Sequence, residues 1–263
     1  MITRLQSFVF RLWVVARMQL RLSRRNVEDL LPVIVMPLLT FGSVAIFLDA
    51  KRVDLLGHAL TASTLLTVGQ MGFFVGSDLV SLERRDQLLE LMVATPTAYG
   101  VVLAARIFVI TALGLLGVVE GWLIVRFAFG VPVPLPHAPE LLATLLATVA
   151  AASGMATLFS ALFGLARSSR TFQHAVNGPF YLLGGVLVPV AYLPTWAQHL
   201  SPFTFFYWSA DLLRDCFRPE AIHSLGSRLA IIVALGVSFG GSGVLVVNRM
   251  LHRLRRDGAL GLS

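Results

Sequence analysis

The sequence predicts an all-α integral membrane protein. It has six transmembrane helices, an amphipathic helix at the amino terminus, a short helix after the second span and re-entrant helices before the last span. Three observations predict this. Of the 263 residues, 56% are hydrophobic but only 13% are charged, with a mean hydropathy of +0.79; a soluble domain is about half apolar and about a quarter charged. The apolar residues also come in blocks: no Asp, Glu, Lys or Arg occurs in Leu30–Leu48, Leu55–Ser77, Leu141–Ala166, Thr171–Ala210 or Leu229–Asn248. Each block reaches the ~20 helical residues that cross a hydrocarbon core of ~30 Å. A soluble enzyme, a disordered chain and a secreted disulfide scaffold are excluded, and the single cysteine, Cys216, leaves no intrachain disulfide.

In chain order, residues 1–26 place Leu5, Phe8, Leu12, Val15, Met18 and Leu22 on one helical stripe, with Arg4, Arg11, Arg17, Arg21 and Arg24 mostly off it. A basic amphipathic helix lies in the membrane interface without crossing. There it serves as a topological anchor or as a lever into the first span. No cleavable signal peptide is visible, because the arginines are spread through the segment instead of preceding an apolar core. The spans are expected at 29–49, 57–79, 102–128, 140–165, 174–192 and 227–248. Glu120 and Arg126 interrupt the third.

The uncharged run 171–210 is too long for one crossing, since its forty residues would reach ~60 Å as a helix. Pro189, Pro194 and Pro202 break its second half. One span therefore ends near Tyr192, and short helices over 193–217 follow without crossing. Arginine and lysine set the orientation. Fifteen flank one side: Arg4, Arg11, Arg17, Arg21, Arg24, Arg25, Arg84, Arg85, Arg106, Arg167, Arg170, Arg249, Arg253, Arg255 and Arg256. Six flank the other: Lys51, Arg52, Arg126, Arg214, Arg218 and Arg228. Both termini are thereby expected in the cytoplasm. The net charge of +7 lies at the ends of apolar blocks, so its expected partner is the lipid headgroup layer, not nucleic acid.

Between the second and third spans, Ser81-Leu-Glu-Arg-Arg-Asp-Gln-Leu-Leu-Glu-Leu-Met-Val-Ala-Thr-Pro96 reads as a short helix. Ser81 suits its cap and Glu83 its first turn. Leu88, Leu91, Met92 and Thr95 share one face, Glu83, Arg84, Gln87 and Glu90 lie elsewhere, and Pro96 ends it. A solvated loop helix and a docking helix for a cytoplasmic partner both fit. Eight aromatic residues fall within Tyr192–Phe217, either as a belt at the membrane surface or as a lid over a substrate route. Glu120 would cost about 2.5–3.5 kcal/mol if it faced lipid, so it should face protein or water. A hydrogen bond between helices and a place on a substrate or proton path are its two readings.

No catalytic, cofactor-binding or metal-ligating set can be assembled. A phosphate-binding loop needs lysine after glycine, but the one lysine, Lys51, follows Ala50. The histidines at 58, 137, 174, 199, 223 and 252 lack metal-ligand spacing, and no G-x-S-x-G elbow occurs.

Two stretches carry a resemblance. One is Glu83-Arg-Arg-Asp-Gln-Leu-Leu-Glu90 with Ala94-Thr-Pro96. The other is Gly184-Gly-Val-Leu-Val-Pro189, then Leu193-Pro-Thr-Trp196, Ser201-Pro-Phe-Thr204 and Leu213-Arg214. With the order of the spans, this resembles the permease subunit of bacterial type-2 ABC exporters (the ABC-2 type transporter family), which handle drugs, lipids and polysaccharides. The resemblance implies one transmembrane domain over 1–263, with an interface helix at 1–26, a coupling helix at 81–96 and an outer re-entrant region at 193–217. It implies export of an amphipathic or hydrophobic substrate, such as a drug, antibiotic, lipid or glycolipid, across the inner membrane. ATP and Mg would be bound by a separate ATPase subunit, and a second permease copy or a related permease would complete the path. Glu83, Arg84, Arg85, Asp86, Leu88 and Glu90 would contact the ATPase, and Trp196, Pro202 and Arg214 would form the outer gate. Glu120 would line the path or join helices. Two rival classes are an ion-coupled secondary transporter, which needs several ionisable groups within the membrane, and an integral membrane enzyme, which needs an acid, base or metal constellation at one face.

Overall fold

The computed structural model describes residues 2–25, 27–52, 55–85, 99–133, 135–165 and 169–257. All regular structure among them is helical. Helix α1 (Ile2–Arg25) packs on the third span. It turns Gln19 and Ser23 inward, while Trp13, Val14, Met18 and Leu22 face out. The apolar stripe expected at Met18 and Leu22 thus points away from the protein, as a helix resting on lipid requires.

Helix α2 (Leu31–Asp49) carries proline in its first turn, where the missing N–H costs no hydrogen bond. It ends with Lys51 in the left-handed region (φ 56°), the Lys51 and Arg52 amides donating to the carbonyls of Leu48 and Phe47. Helix α3 (Leu56–Gln70) continues through a π turn, Met71–Gly76, and α4 (Leu79–Arg85) follows after two residues. Ser81 is not the cap of α4. The first bond runs from the Leu82 amide to the Asp78 carbonyl at 2.9 Å, because buried Leu79 and Val80 draw the helix start upstream.

The third span is α5 (Tyr99–Leu113), a break at Gly114, then α6 (Leu116–Leu123), which runs into a second π turn, Ile124–Ala128. The break lies where this span crosses α3. A Cβ on Gly114 would sit 2.6 Å from Val68 Cα, and one on Gly117 2.6 Å from Thr67 Oγ1. Without side chains at these points the backbones close to a distance no other residue permits.

Helix α7 (Ala138–Leu165) is the axis of the fold. Of its most apolar stretch 72% is buried, against 18% for α2 and 22% for the last helix, α11 (Leu225–Asp257). Those two leave most of their surface outside the packing of the chain itself. Glycines join α11 to α7: a Cβ on Gly236 would fall 2.6 Å from Ala151 Cα, and one on Gly243 2.6 Å from the Leu158 amide nitrogen.

Helix α8 (Ser169–Leu183) has 15 residues and Pro179 inside it. At 1.5 Å per residue it spans about 22 Å. The span expected over 174–192 is therefore helical only to Leu183. It stops because Gly185 adopts φ 64° and the Val186 amide caps the Tyr181 carbonyl. Five stretches among the described residues are long and apolar enough to cross a membrane: Leu31–Asp49, Leu56–Arg84, Tyr99–Ala128, Ala138–Gly164 and Leu225–His252.

Between α8 and α11 the proline-broken segment forms a 3-10 turn (Val190–Tyr192), α9 (Thr195–Leu200), a second such turn (Ser201–Phe203) and α10 (Phe205–Cys216). Its aromatics divide. Tyr192, Trp196 and Phe203 are exposed, whereas Phe205 and Phe206 are fully buried. The latter two surround Phe73 of the π turn together with Phe159, Phe180 and Tyr181, at centroid distances of 5.4–6.4 Å. The exposure of Tyr192, Trp196 and Phe203 is what a belt over Tyr192–Phe217 would need. Phe205 and Phe206 are core, however, and Tyr207, Trp208 and Phe217 are half-buried, so the eight aromatics do not form one uniform belt.

Candidate functional site

Polar side chains gather at the two ends of α7. One end is marked by Gly164, whose carbonyl accepts from Arg84 Nη1 at 3.2 Å, and the other by His137, bonded to the Glu220 carbonyl at 3.0 Å. The intervening helix separates these ends by roughly 40 Å.

At the Gly164 end, α4 and α5 face each other across the connection 86–98. Tyr99 and Arg106 lie seven residues apart, two turns along one face of α5. Both meet Glu83 of α4: Arg106 Nη1 donates to one carboxylate oxygen and the Tyr99 hydroxyl to the other. Arg106 Nε also donates to Gln19 Oε1 of α1 at 2.8 Å. Glu83, Arg106, Tyr99 and Gln19 are between 2% and 7% exposed. Three elements, α1, the end of the second span at α4 and the third span, are thereby fastened around one buried ion pair. Such a pair is costly to leave half-made.

Sequence reasoning missed Arg106 and Gln19 as members of this set and treated Arg106 as a topological flank charge. The signal was available, since Arg106 lies inside the third span and a cation there requires a partner. Glu83, expected off the apolar face and toward a partner, is turned inward, because Arg106 and Tyr99 present the only charge and hydroxyl that satisfy it among its bonded neighbours. Arg84 is exposed, and its guanidinium meets the carboxyl end of α7, where the helix dipole favours a cation. The Arg85 side chain and Asp86, Leu88 and Glu90 lie outside the described residues.

At the His137 end, Trp196 of α9 is exposed, and Pro202 offers its carbonyl to Trp208 Nε1 at 2.9 Å. Arg214 of α10 does not pair with the neighbouring aspartates. Its Nη2 donates to the carbonyl of Gly185, beyond the end of α8, and its Nε has no hydrogen-bond partner. Arg228 takes both acids instead, with Asp211 and Asp215 each 2.8 Å from its Nη1. Burial pulls the Arg214 pKa down from its usual value; Asp211 opposes this and the nearby Arg218 adds to it. Trp196, Pro202 and Arg214 thus share one end of the fold, but no direct contact joins Trp196 to Arg214 among the hydrogen bonds described.

Glu120 stands apart from both ends, on α6. Its Oε2 is enclosed with no hydrogen-bond partner, and the Trp122 indole N–H two residues on is likewise unpaired. Arg126 is exposed and forms no ion pair with it among the described residues. No group of three His, Cys, Asp or Glu side chains among those residues is placed to hold a metal.

Helices of this length, with charge kept to their ends apart from Glu120 and one buried pair, define a multi-pass membrane protein of all-α construction. The family model for the ABC-2 type transporter matches residues 11–217, and the chain belongs to that family. Comparison with curated proteins and with solved structures gave no match. A member of this family is a transport subunit, not itself catalytic, that works with an ABC ATPase subunit.

Proposed function

We propose that this chain is the permease of an ATP-driven exporter, forming the path for an amphipathic or hydrophobic substrate while a separate subunit binds ATP and Mg and hydrolyses ATP. The observation that carries the proposal is the buried Glu83–Arg106 pair. It ties α4, the end of the second span, to the third span and, through Gln19, to α1. A push on residues 81–96 from the cytoplasm would then reach two elements at once, because a close-packed junction transmits displacement without yielding. Arg84, Arg85, Asp86, Leu88 and Glu90 supply the ATPase contact, and Glu83 positions that segment from inside.

In this reading α8 with the stretch to Tyr192 is the fifth of six crossings. The arginine and lysine asymmetry of the flanks, which survives the removal of buried Arg106 from the count, supports it, since five crossings would put the termini on opposite sides. Trp196, Pro202 and Arg214 then form the outer gate of a path completed by a second permease. Purification from its own cells should bring down an ATPase subunit, and inverted vesicles should accumulate substrate only with hydrolysable ATP. Arg84→Ala together with Glu90→Ala should weaken that association without stopping membrane insertion. Accumulation driven by an ion gradient alone would instead make the chain a secondary carrier.

A further inference from the structure

A cavity of about 480 Å³ opens at the carboxyl end of α10, lined by Leu56, His58, Pro132, Arg214, Phe217 and Arg218, with Glu220 also on its wall. Its charge is unbalanced. The two acids of α10 are consumed by Arg228, and Arg218 approaches Asp215 only to 4.0 Å. Arg214 donates from Nη2 to a backbone carbonyl, its Nε is enclosed without a hydrogen-bond partner, and it forms no ion pair among the described residues. Among the described lining residues two guanidinium groups and one carboxylate, that of Glu220, border the cavity, with Asp215 4.0 Å from Arg218. Guanidinium forks bind phosphate oxygens in pairs, and such bonds are short and strong.

Next to it is an apolar slot of about 180 Å³, lined by Leu60, Val118, Val119, Trp122, Leu141 and Phe217. Phe217 borders both spaces, and Leu60 stands one turn of α3 from Leu56 of the cationic cavity. A cationic recess at a helix end, with an apolar slot across Phe217 toward the middle of the same helices, has the division of a lipid molecule.

We propose that the two spaces form one binding site for an anionic phospholipid, its phosphate held by Arg214 and Arg218 and part of an acyl chain in the slot behind Phe217. This bound lipid is distinct from any transported substrate. The site needs only that the helices sit in a bilayer, so it stands apart from the ATPase partnership.

The test uses the purified full-length chain in neutral detergent, with bound molecules counted by native mass spectrometry. Phosphatidylglycerol should be retained at least tenfold better than diacylglycerol, and millimolar inorganic phosphate should displace little of it. Arg218→Glu, at an exposed side chain, should lower retention at least fivefold, and Arg214→Gln should do the same. Arg84→Ala, at the opposite end of α7, should leave it unchanged. If Arg214→Gln fails to fold, Arg218→Glu still decides. Unchanged retention in Arg218→Glu would overturn the proposal. An equal loss in Arg84→Ala would overturn it too, by showing general attraction to a basic protein. Full displacement by inorganic phosphate would show a soluble-anion site and refute the lipid.

Discussion

Removing Arg106 is the sharpest perturbation of the cytoplasmic cluster. Arg106→Ala leaves the Glu83 carboxylate in a site where it is 5% exposed, with the Tyr99 hydroxyl as its one remaining partner. Loss of one member of a buried pair costs about 3–5 kcal/mol. In a chain of this size 1 kcal/mol moves the melting temperature by roughly 2–4 °C, so the expected fall is on the order of 10 °C. Tyr99→Phe removes only one hydrogen bond to a charged group, worth about 1.5–3 kcal/mol, and should fall about half as far. The double variant Glu83→Leu, Arg106→Met replaces both charges with apolar side chains of similar bulk, and such exchanges are often neutral in stability. It leaves Tyr99 and Gln19 without those partners but no unpaired charge, so it should melt above Arg106→Ala while losing ATP-driven transport. The assays are thermal unfolding of the detergent-purified chain followed by circular dichroism, and vesicle uptake. A melting temperature for Arg106→Ala within 2 °C of the wild type would refute the structural part. Full transport by the stable double variant would refute the coupling part.

Two substitutions on α11 should have opposite signs: Gly236→Ala forces a Cβ against the Ala151 backbone and should destabilise. Gly241→Ala, with nothing within 4 Å, should stabilise by about 0.5–1 kcal/mol through helix entropy alone; equal melting temperatures would contradict the packing. Burial above all pushes the Cys216 thiol up to about 11, so at pH 8 only about one molecule in a thousand carries the reactive thiolate. Maleimide should label it slowly in the folded chain and quickly after unfolding, and equal rates would show it exposed. Single cysteines at Ser7 and Asp257, in a Cys216→Ala background, should resist a membrane-impermeant thiol reagent in intact cells; labelling of either would break the six-span topology.

Residue order alone establishes that this is a membrane protein and where most of its helices run. Hydrocarbon thickness demands a continuous apolar length, and that demand is met residue by residue along the chain, as in Leu31–Asp49 and Ala138–Gly164. The proline breaks after Pro189 were legible for the same reason, since a missing donor disrupts a helix wherever the chain later lies. What the tertiary structure decided is which of several chemically similar side chains turns inward. Glu83 and Arg84 are adjacent, both charged and both plausible on a solvated face. Only the placement of Arg106 on α5, 23 residues away, makes Glu83 the buried partner. Phe205 and Phe203 stand two residues apart, yet Phe205 is fully enclosed around Phe73 and Phe203 is 71% exposed. Arg214 and Arg228 compete for the same two aspartates, and the approach of α11 gives both to Arg228, leaving Arg214 to the cavity. Periodicity records the environment a residue can tolerate; a partner on another helix records the one it has, and such partners are fixed only when the helices pack.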